Sequence, residues 1–413
     1  MMTIKGCFTF IVFLGLISVS ICFIKVKFHN VLRIVEVLPR SKNKPTRSFM
    51  HTPPPAPILS FDTLDQLMQN DSGLKKTLRI DGPLDVTYKD LPSLQRHVVT
   101  CSRPPKMYKS YHKSTCANSL RSVQSEWFKK RFNPMLKLFL DKDDVNNWKS
   151  FYNLSFCPIL PLGLRGITRR TLIRLVNNAN YSSAPVITER LPNQCIRCAV
   201  VGGSGTLKDS NAGSEIDSYD YVFRMNVAML TGFEKDVGSK THFYSGFPES
   251  MFVKEINNLQ DVFFISPLFK QLNVKWLESF LNGRVISNPV LSWNYFGTDS
   301  WIDPKRIRIP HPDFLRYFHY TFLNNKGFYP STGAIMTALA IQACDEVKLF
   351  GFGITKTSTL HYYDDVKTSN SVLQRSYHDF ENEWQLWKLL DKEKILTFHQ
   401  HNVTVFSNMT QLT

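Results

Sequence analysis

From Cys198 to Tyr244 the chain reads CAVVGGSGTLKDSNAGSEIDSYDYVFRMNVAMLTGFEKDVGSKTHFY. An apolar run suited to a buried strand, Cys198 to Val201, feeds straight into a turn holding Gly202, Gly203 and Gly205. A second short strand is expected at Tyr221 to Arg224, one polar segment later. Such a strand–turn–helix unit lets backbone N–H groups approach a phosphate closely. By pattern alone it points to a nucleotide site and no further. The dinucleotide fingerprint itself is incomplete, because Lys208 holds the place of its third glycine. A nicotinamide dehydrogenase, with Asp217 or Asp220 as the ribose acid, is correspondingly disfavoured.

Downstream, apolar runs continue to alternate with helical patterns. Asp261 to Ser266 and Glu346 to Gly351 read as buried strands, and Thr332 to Ala343 as a helix rich in alanine and leucine. Asp379 to Ile395 is expected to be amphipathic, with Phe380, Trp384 and Trp387 on one stripe. Ser125 to Leu140 mixes apolar and basic residues at helical spacing and is expected as a helix on the core. This alternation predicts a mostly parallel central sheet flanked by helices.

The N-terminal part is different in kind. Cys7 to Ile24 is an 18-residue run without a charge, just long enough to span a bilayer. A cleaved signal peptide is the rival reading, given Ser18, Ser20 and Cys22 near its end. Flanking charge mildly opposes a lumenal body, with Lys5 before the run and Lys25, Lys27 and Arg33 after it. Sequons at Asn70, Asn153, Asn180, Asn402 and Asn408, all beyond the run, argue for one. So do six cysteines outside it (Cys101, Cys116, Cys157, Cys195, Cys198 and Cys344), an even number suited to disulfides. Zinc fits poorly, since Cys195 and Cys198 have no second close pair and no nearby histidine. Residues 25–99, with Pro53 to Pro55 and no sustained periodicity, read as a stem. The net charge of +16 is concentrated partly there. It reads as a solvated juxtamembrane segment or as a field that draws in an anionic substrate, with no nucleic-acid module to suggest a third use.

Four blocks carry chemistry. The first is the glycine turn with its FRMN run at Phe223 to Asn226. The second is HPDFLRYFHYTFL (His311 to Leu323) followed by YPSTGAIMTALAIQACDEVKLFGF (Tyr329 to Phe352). Here Ser331, Thr332 and Gly333 place hydroxyls and N–H groups at a helix start, which serves either as an anion cradle or as an ordinary N-cap. The third is His361-Tyr362-Tyr363-Asp364, and the fourth is His378 with Glu383 five residues on. In order and spacing these resemble the large, small, aromatic and His–x4–Glu motifs of the animal sialyltransferases. The GalNAc α-2,6-sialyltransferases of mucin-type O-glycans are especially similar, through CIRCAVVG, HPDFLRY, YHDFENEWQLWKLL and the upstream Thr115 to Asp141.

The resemblance implies a Rossmann-like (GT-A variant) single catalytic domain. It implies CMP-sialic acid as donor, O-glycosylated glycoproteins as acceptors, and neither cofactor nor metal. His378 would be the base that deprotonates the GalNAc 6-hydroxyl, and a histidine in that role contributes about 10²–10⁴-fold. His361 would assist the departing phosphate. Asn226, Gly203, Ser204, Gly205, Ser331, Thr332 and Gly333 would hold the donor, with Tyr362, Tyr363 and Glu383 in support. The resemblance pairs Cys198 with Cys344 and Cys116 with Cys195, leaving Cys101 and Cys157. Asp141-Lys142-Asp143 has the form of a DxD metal handle but precedes the nucleotide strand, and an acidic turn is the favoured reading. The expected organisation is a cytoplasmic tail at 1–6, a membrane signal anchor at 7–24, a stem at 25–99 and a lumenal catalytic domain at 100–413. That is a single-pass type II protein of the Golgi membrane.

One residue departs from the pattern. Gly203 stands where many members carry an asparagine, so a donor contact is lost unless Ser204 or a backbone N–H substitutes. Alternatives are thus a sialyltransferase of other linkage or acceptor, α-2,3 or α-2,8 or galactose-directed, and a silent membrane-tethered glycan-binding relative.

Overall fold

The computed structural model of the chain describes residues 7–11, 18–22, 114, 116–154, 160–164, 166–179, 195–246, 262–282, 303–353, 358–366 and 377–399. The chain divides into two compact units, Met1–Ser72 and Gly73–Thr413.

In the first unit, the described residues of the apolar run expected as a spanning helix form two strands, β1 (Cys7–Ile11) and β2 (Ser18–Cys22). They pair antiparallel, with Cys7 opposite Cys22 and Ile11 opposite Ser18. Phe8, Thr9, Phe10, Ile11, Val19 and Ile21 are aromatic or β-branched, the residue types that suit strands. Among the described residues no helix is long and apolar enough to cross a membrane. The tail, the stem, Cys101, Cys157 and the sequons at Asn70, Asn180, Asn402 and Asn408 lie outside the described residues. Asn153 is exposed on a helix, Trp148–Leu154.

The second unit is built on a seven-stranded sheet. Its strands are β3 (Arg197–Val201), β4 (Tyr221–Met225), β5 (Phe243–Ser245), β6 (Phe263–Ile265), β7 (Ile307–Arg308), β8 (Glu346–Phe350) and β9 (Thr397–Phe398). The order is β7-β6-β5-β4-β3-β8-β9, and every pairing is parallel. From β3 the chain therefore winds outward through β4 to β7, then returns to lay β8 on the other side of β3. That reversal is a topological switch point, and the carboxyl ends of β3 and β8 flank its crevice.

Both faces of β3 are covered, as a parallel sheet requires. Cys198 and Val200 join one apolar cluster, while Ala199 and Val201 join another. Against the first face packs the central helix α9 (Thr332–Ala343; the helices before it are numbered below), which touches β3, β4 and β8. It is buried almost all round, which explains its lack of a polar face. Fully buried side chains such as Ile335 and Met336 each stabilise the fold by about 1.5–3 kcal/mol.

The remaining helices are α1 (Glu126–Lys129), α2 (Lys142–Asn146), α3 (Trp148–Leu154), α4 (Arg169–Ala179), α5 (Gly213–Asp217), α6 (Glu234–Val237), α7 (Gln271–Leu281), α8 (Pro312–Thr321) and α10 (Phe380–Lys392). The long helix expected over Ser125 to Leu140 is only the single turn α1. Pro134 disfavours helical backbone at Asn133, and the chain then runs extended so that Phe139 bridges Pro310. Two disulfides join Cys116 to Cys195 and Cys198 to Cys344. The second closes a loop of sequence separation 146, worth about 5 kcal/mol in the chain-entropy account.

Candidate active site

The glycine turn after β3 is held by the loop that follows β8. Gly202 N–H donates to the Phe350 carbonyl (2.8 Å) and Ser204 N–H to the Gly351 carbonyl (3.1 Å). The Ser204 hydroxyl donates to the Gly353 carbonyl and receives the Thr206 N–H at 3.2 Å. The three glycines do different jobs. A Cβ on Gly202 would sit 2.5 Å from the Gly351 oxygen, and one on Gly205 would sit 2.4 Å from the Thr359 oxygen. Those two are close-packing positions. A Cβ on Gly203 would meet only the His361 ring, at an ordinary 3.5 Å. Gly203 is thus the glycine that opens toward His361.

The aromatic block closes over this turn. Tyr362 N–H donates to the Gly203 carbonyl (3.0 Å), and its hydroxyl donates to the Met229 carbonyl (2.6 Å). Tyr362 is buried, so it anchors the segment. The Tyr363 ring stacks on His361 with centroids 4.8 Å apart and planes 6° from parallel. His361 Nδ1 lies 2.7 Å from the Asp364 carboxylate. A carboxylate only accepts, so Nδ1 carries the proton and the lone pair is on Nε2. Asp364 is a positioning residue that the sequence supplied only as the end of a motif; its spacing of three from His361 was the available signal.

Asn226 follows β4 in left-handed backbone, φ 55°. Its N–H donates to the Ser245 carbonyl (2.8 Å), and its own carbonyl accepts the Tyr244 hydroxyl. Both main-chain groups are thereby tied to β5. Beside it the fully buried Arg224 bonds the Val237 carbonyl, the Lys240 carbonyl and the Thr241 hydroxyl. Burial lowers its pKa to about 10, which still leaves it charged at neutral pH.

Ser331 caps α9, its hydroxyl accepting the Ala334 N–H at 3.1 Å. Ser331 and Thr332 are buried, and Gly333 lies against Phe352 and Met225, at the β8 and β4 ends of the crevice. The turn is an N-cap, at the start of the helix that packs on β3, β4 and β8. Glu383 is buried beneath it. Its two oxygens accept the Ser331 N–H (2.8 Å) and hydroxyl (2.6 Å). Burial raises the Glu383 pKa to about 7 against the opposing pull of these bonds. Glu383 thus holds Ser331 in place at the start of α9.

His378 stands just before α10. Gly327 (φ 75°) packs so closely on this segment that an added Cβ would lie 2.8 Å from the Asp379 nitrogen. Phe328 N–H donates to the Tyr377 carbonyl (2.9 Å), and Asn382 reaches the Leu323 carbonyl (2.9 Å). His378 Nδ1 lies 3.0 Å from the Tyr329 carbonyl. That acceptor places the proton on Nδ1 and the lone pair on Nε2, the tautomer of a general base. Three rings meet the imidazole edge to face: Tyr329 at 5.2 Å, Phe380 at 5.6 Å and Phe269 at 6.3 Å. Desolvation lowers the His378 pKa to about 4, far below the ordinary value near 6.5 expected from composition alone. Phe269 and the Tyr329 carbonyl are partners that sequence reasoning did not name.

Asp141 is not placed as a metal handle. Its carboxylate caps α2 by accepting the Asp143 and Asp144 N–H groups, and it pairs with Lys137 at 2.6 Å. One cation-sized cluster, Cys116, Cys195 and Glu346, occurs among the described residues, but its two sulfurs are bonded to each other.

The wholly parallel sheet thus carries one oriented histidine, His361, beside the glycine turn after β3 and a second, His378, just before α10. Residues 139–395 match the profile of glycosyltransferase family 29 (sialyltransferase), and the chain belongs to that family. It is 33% identical over 325 residues to a Gallus gallus alpha-N-acetylgalactosaminide alpha-2,6-sialyltransferase 1, covering 70% of this chain and 56% of the relative. It is 35% identical over 217 residues to a Mus musculus CMP-N-acetylneuraminate-beta-galactosamide-alpha-2,3-sialyltransferase 2, covering 52% and 59%. The chain thus spans little more than half the length of these relatives. The crystal structure of a mammalian sialyltransferase in complex with Gal-beta-1-3GalNAc-ortho-nitrophenol superposes with TM-score 0.53 at 30% identity, covering 69% of this chain and 98% of that one.

Proposed function

We propose that the chain transfers sialic acid from CMP-sialic acid to the 6-hydroxyl of GalNAc on O-glycosylated proteins, as a single-pass type II protein of the Golgi membrane. The observation that carries this reading is the His378 tautomer, locked by the Tyr329 carbonyl so that Nε2 can take a proton. In the reaction the acceptor O6 attacks the anomeric carbon as its proton passes to His378 Nε2. The bond to the CMP phosphate breaks in the same step, so the β donor becomes the α product. His361, oriented by Asp364, meets the charge that develops on the leaving phosphate. Donor contacts come from the Gly203–Ser204 turn, Asn226 and the Ser331–Gly333 helix start. No step in this scheme calls for a metal.

The relative named for α-2,6 transfer to GalNAc supports the acceptor and linkage. The similarity to an α-2,3 relative named for β-galactosamide supports a second reading, transfer to galactose O3. The full chain, given CMP-sialic acid and an asialo mucin glycopeptide with no metal added, tests both. Product linkage read by mass spectrometry is expected to be α-2,6 to GalNAc. Product on galactose alone would replace the first reading with the second.

A further inference from the structure

By spacing, Phe380 belongs to the apolar stripe of α10 with Trp384 and Trp387. The structure splits that stripe. Trp384 and Trp387 are buried, whereas Phe380 is 39% exposed, one of three large exposed apolar side chains among the described residues. Its ring is instead set edge to face against His378, 5.6 Å between centroids. Unlike Tyr329 and Phe269, which wall the imidazole from the protein side, Phe380 holds apolar surface in solvent beside the base.

We propose that Phe380 is the acceptor platform: its ring face packs on the apolar C–H face of the sugar that carries the reacting hydroxyl. This deepens the functional reading above and rests on it. A hydroxyl giving its proton to His378 Nε2 must come within about 3 Å of that nitrogen. A pyranose so placed lies within van der Waals reach of a ring only 5.6 Å from the imidazole centroid. Polar hydroxyls ring the edge of such a sugar and leave its C–H face to an apolar partner. An exposed phenylalanine gives that face large contact area with only two torsions to fix. The occupant is therefore the acceptor sugar, not the acceptor's polypeptide and not the donor.

The test uses the full chain in detergent-solubilised membranes, with CMP-sialic acid and two acceptors, methyl α-GalNAc and a GalNAc-bearing glycopeptide. Phe380→Ala is expected to raise the acceptor KM about fivefold to tenfold for both probes, with donor KM unmoved. Phe380→Tyr, which keeps the ring, is expected to restore the wild-type acceptor KM. An unchanged acceptor KM in Phe380→Ala would overturn the proposal. So would a rise confined to the glycopeptide, which would put polypeptide on the ring. An equal rise in donor KM would show a structural role and overturn it as well. Absence of transfer by the wild-type chain to either probe would sink the acceptor reading itself and this proposal with it, a result visible before any variant is compared.

Discussion

Glu383 and Ser331 are 52 residues apart, yet both carboxylate oxygens of the one accept from the backbone N–H and hydroxyl of the other, at 2.8 and 2.6 Å. The pair ties the first turn of α10, just past His378, to the start of α9, where the donor is expected to lie. Two halves of the site are joined through one buried acid. Glu383→Ala, which leaves the Ser331 N–H buried without its acceptor, should cost about 1–3 kcal/mol of stability and lower transfer. Glu383→Gln keeps an oxygen for that N–H and should cost less, as thermal melting of the two variants would show.

The same acid has a pH signature. Its pKa rises from 4.5 unfolded to about 7 folded, so the folded state holds the extra proton between these values. Stability from this group is full below about 4.5 and is lost as pH rises to about 7, on the order of 3 kcal/mol. His319 and His378 act with opposite sign. Both are lowered by burial from 6.5 to about 4, so the unfolded state binds their protons first, and stability rises with pH through that window. The contributions oppose each other across nearly the same range. Glu383→Gln should therefore steepen the rise in stability from pH 4.5 to 6.5, measured by denaturation at fixed temperature. An unchanged slope would mean that Glu383 titrates as it does in the unfolded chain.

In the proposed reaction His378 acts on rate. His378→Ala should cut kcat for transfer about 10²–10⁴-fold while leaving donor KM close to wild type. In the wild type, the acid limb of kcat/KM should fall near pH 4 instead of near 6.5. Donor anions bound beside the imidazole favour its charged form, so the limb of kcat should lie higher than that of kcat/KM. A limb near 6.5 in kcat/KM would contradict the desolvated site.

Asp364 holds both His361 Nδ1 (2.7 Å) and the Val366 N–H (3.1 Å), and its effect on transfer should run through the first. Asp364→Asn replaces an acceptor with a group that can donate to Nδ1, which turns the imidazole to the wrong tautomer. A loss in kcat on the order of 10²-fold with unchanged acceptor KM is expected, and steady-state kinetics on both substrates would read it.

The three glycines of the turn should respond unequally. Gly202→Ala and Gly205→Ala force a methyl to 2.5 and 2.4 Å from backbone oxygens and should cost about 1–3 kcal/mol each. Gly203→Asn has room, with His361 at 3.5 Å, and should fold normally. It restores an amide at the family's usual donor contact, so donor KM should fall. A rise would show that the open space is itself used by the donor.

Much of this architecture was readable from residues 198–201, 221–224, 332–343 and 346–351, because their apolar runs are long and bounded by turn residues. β5, β7 and β9 were not, since strands of two or three residues carry no periodicity. The histidines were legible through motif order, but their chemistry was not. What fixes each tautomer is a backbone carbonyl 49 residues away for His378 and an acid three residues away for His361. Helical spacing put Phe380 on one stripe with Trp384 and Trp387 but does not report where that stripe leaves the protein, and Phe380 is exposed while the two tryptophans are buried.

The placement of β8 beside β3 has a kinetic consequence. Cys198 registers opposite Val347, so the strand bearing the glycine turn waits for a partner made about 150 residues later. Until then β3 and β4 can pair, but the crevice between β3 and β8 does not exist. During synthesis the growing chain thus holds one exposed edge of apolar β3, open to wrong pairing, until α9 and β8 emerge. The donor site is therefore among the last features to assemble, and a chain interrupted before Phe350 would carry the glycine turn without the loop that shapes it.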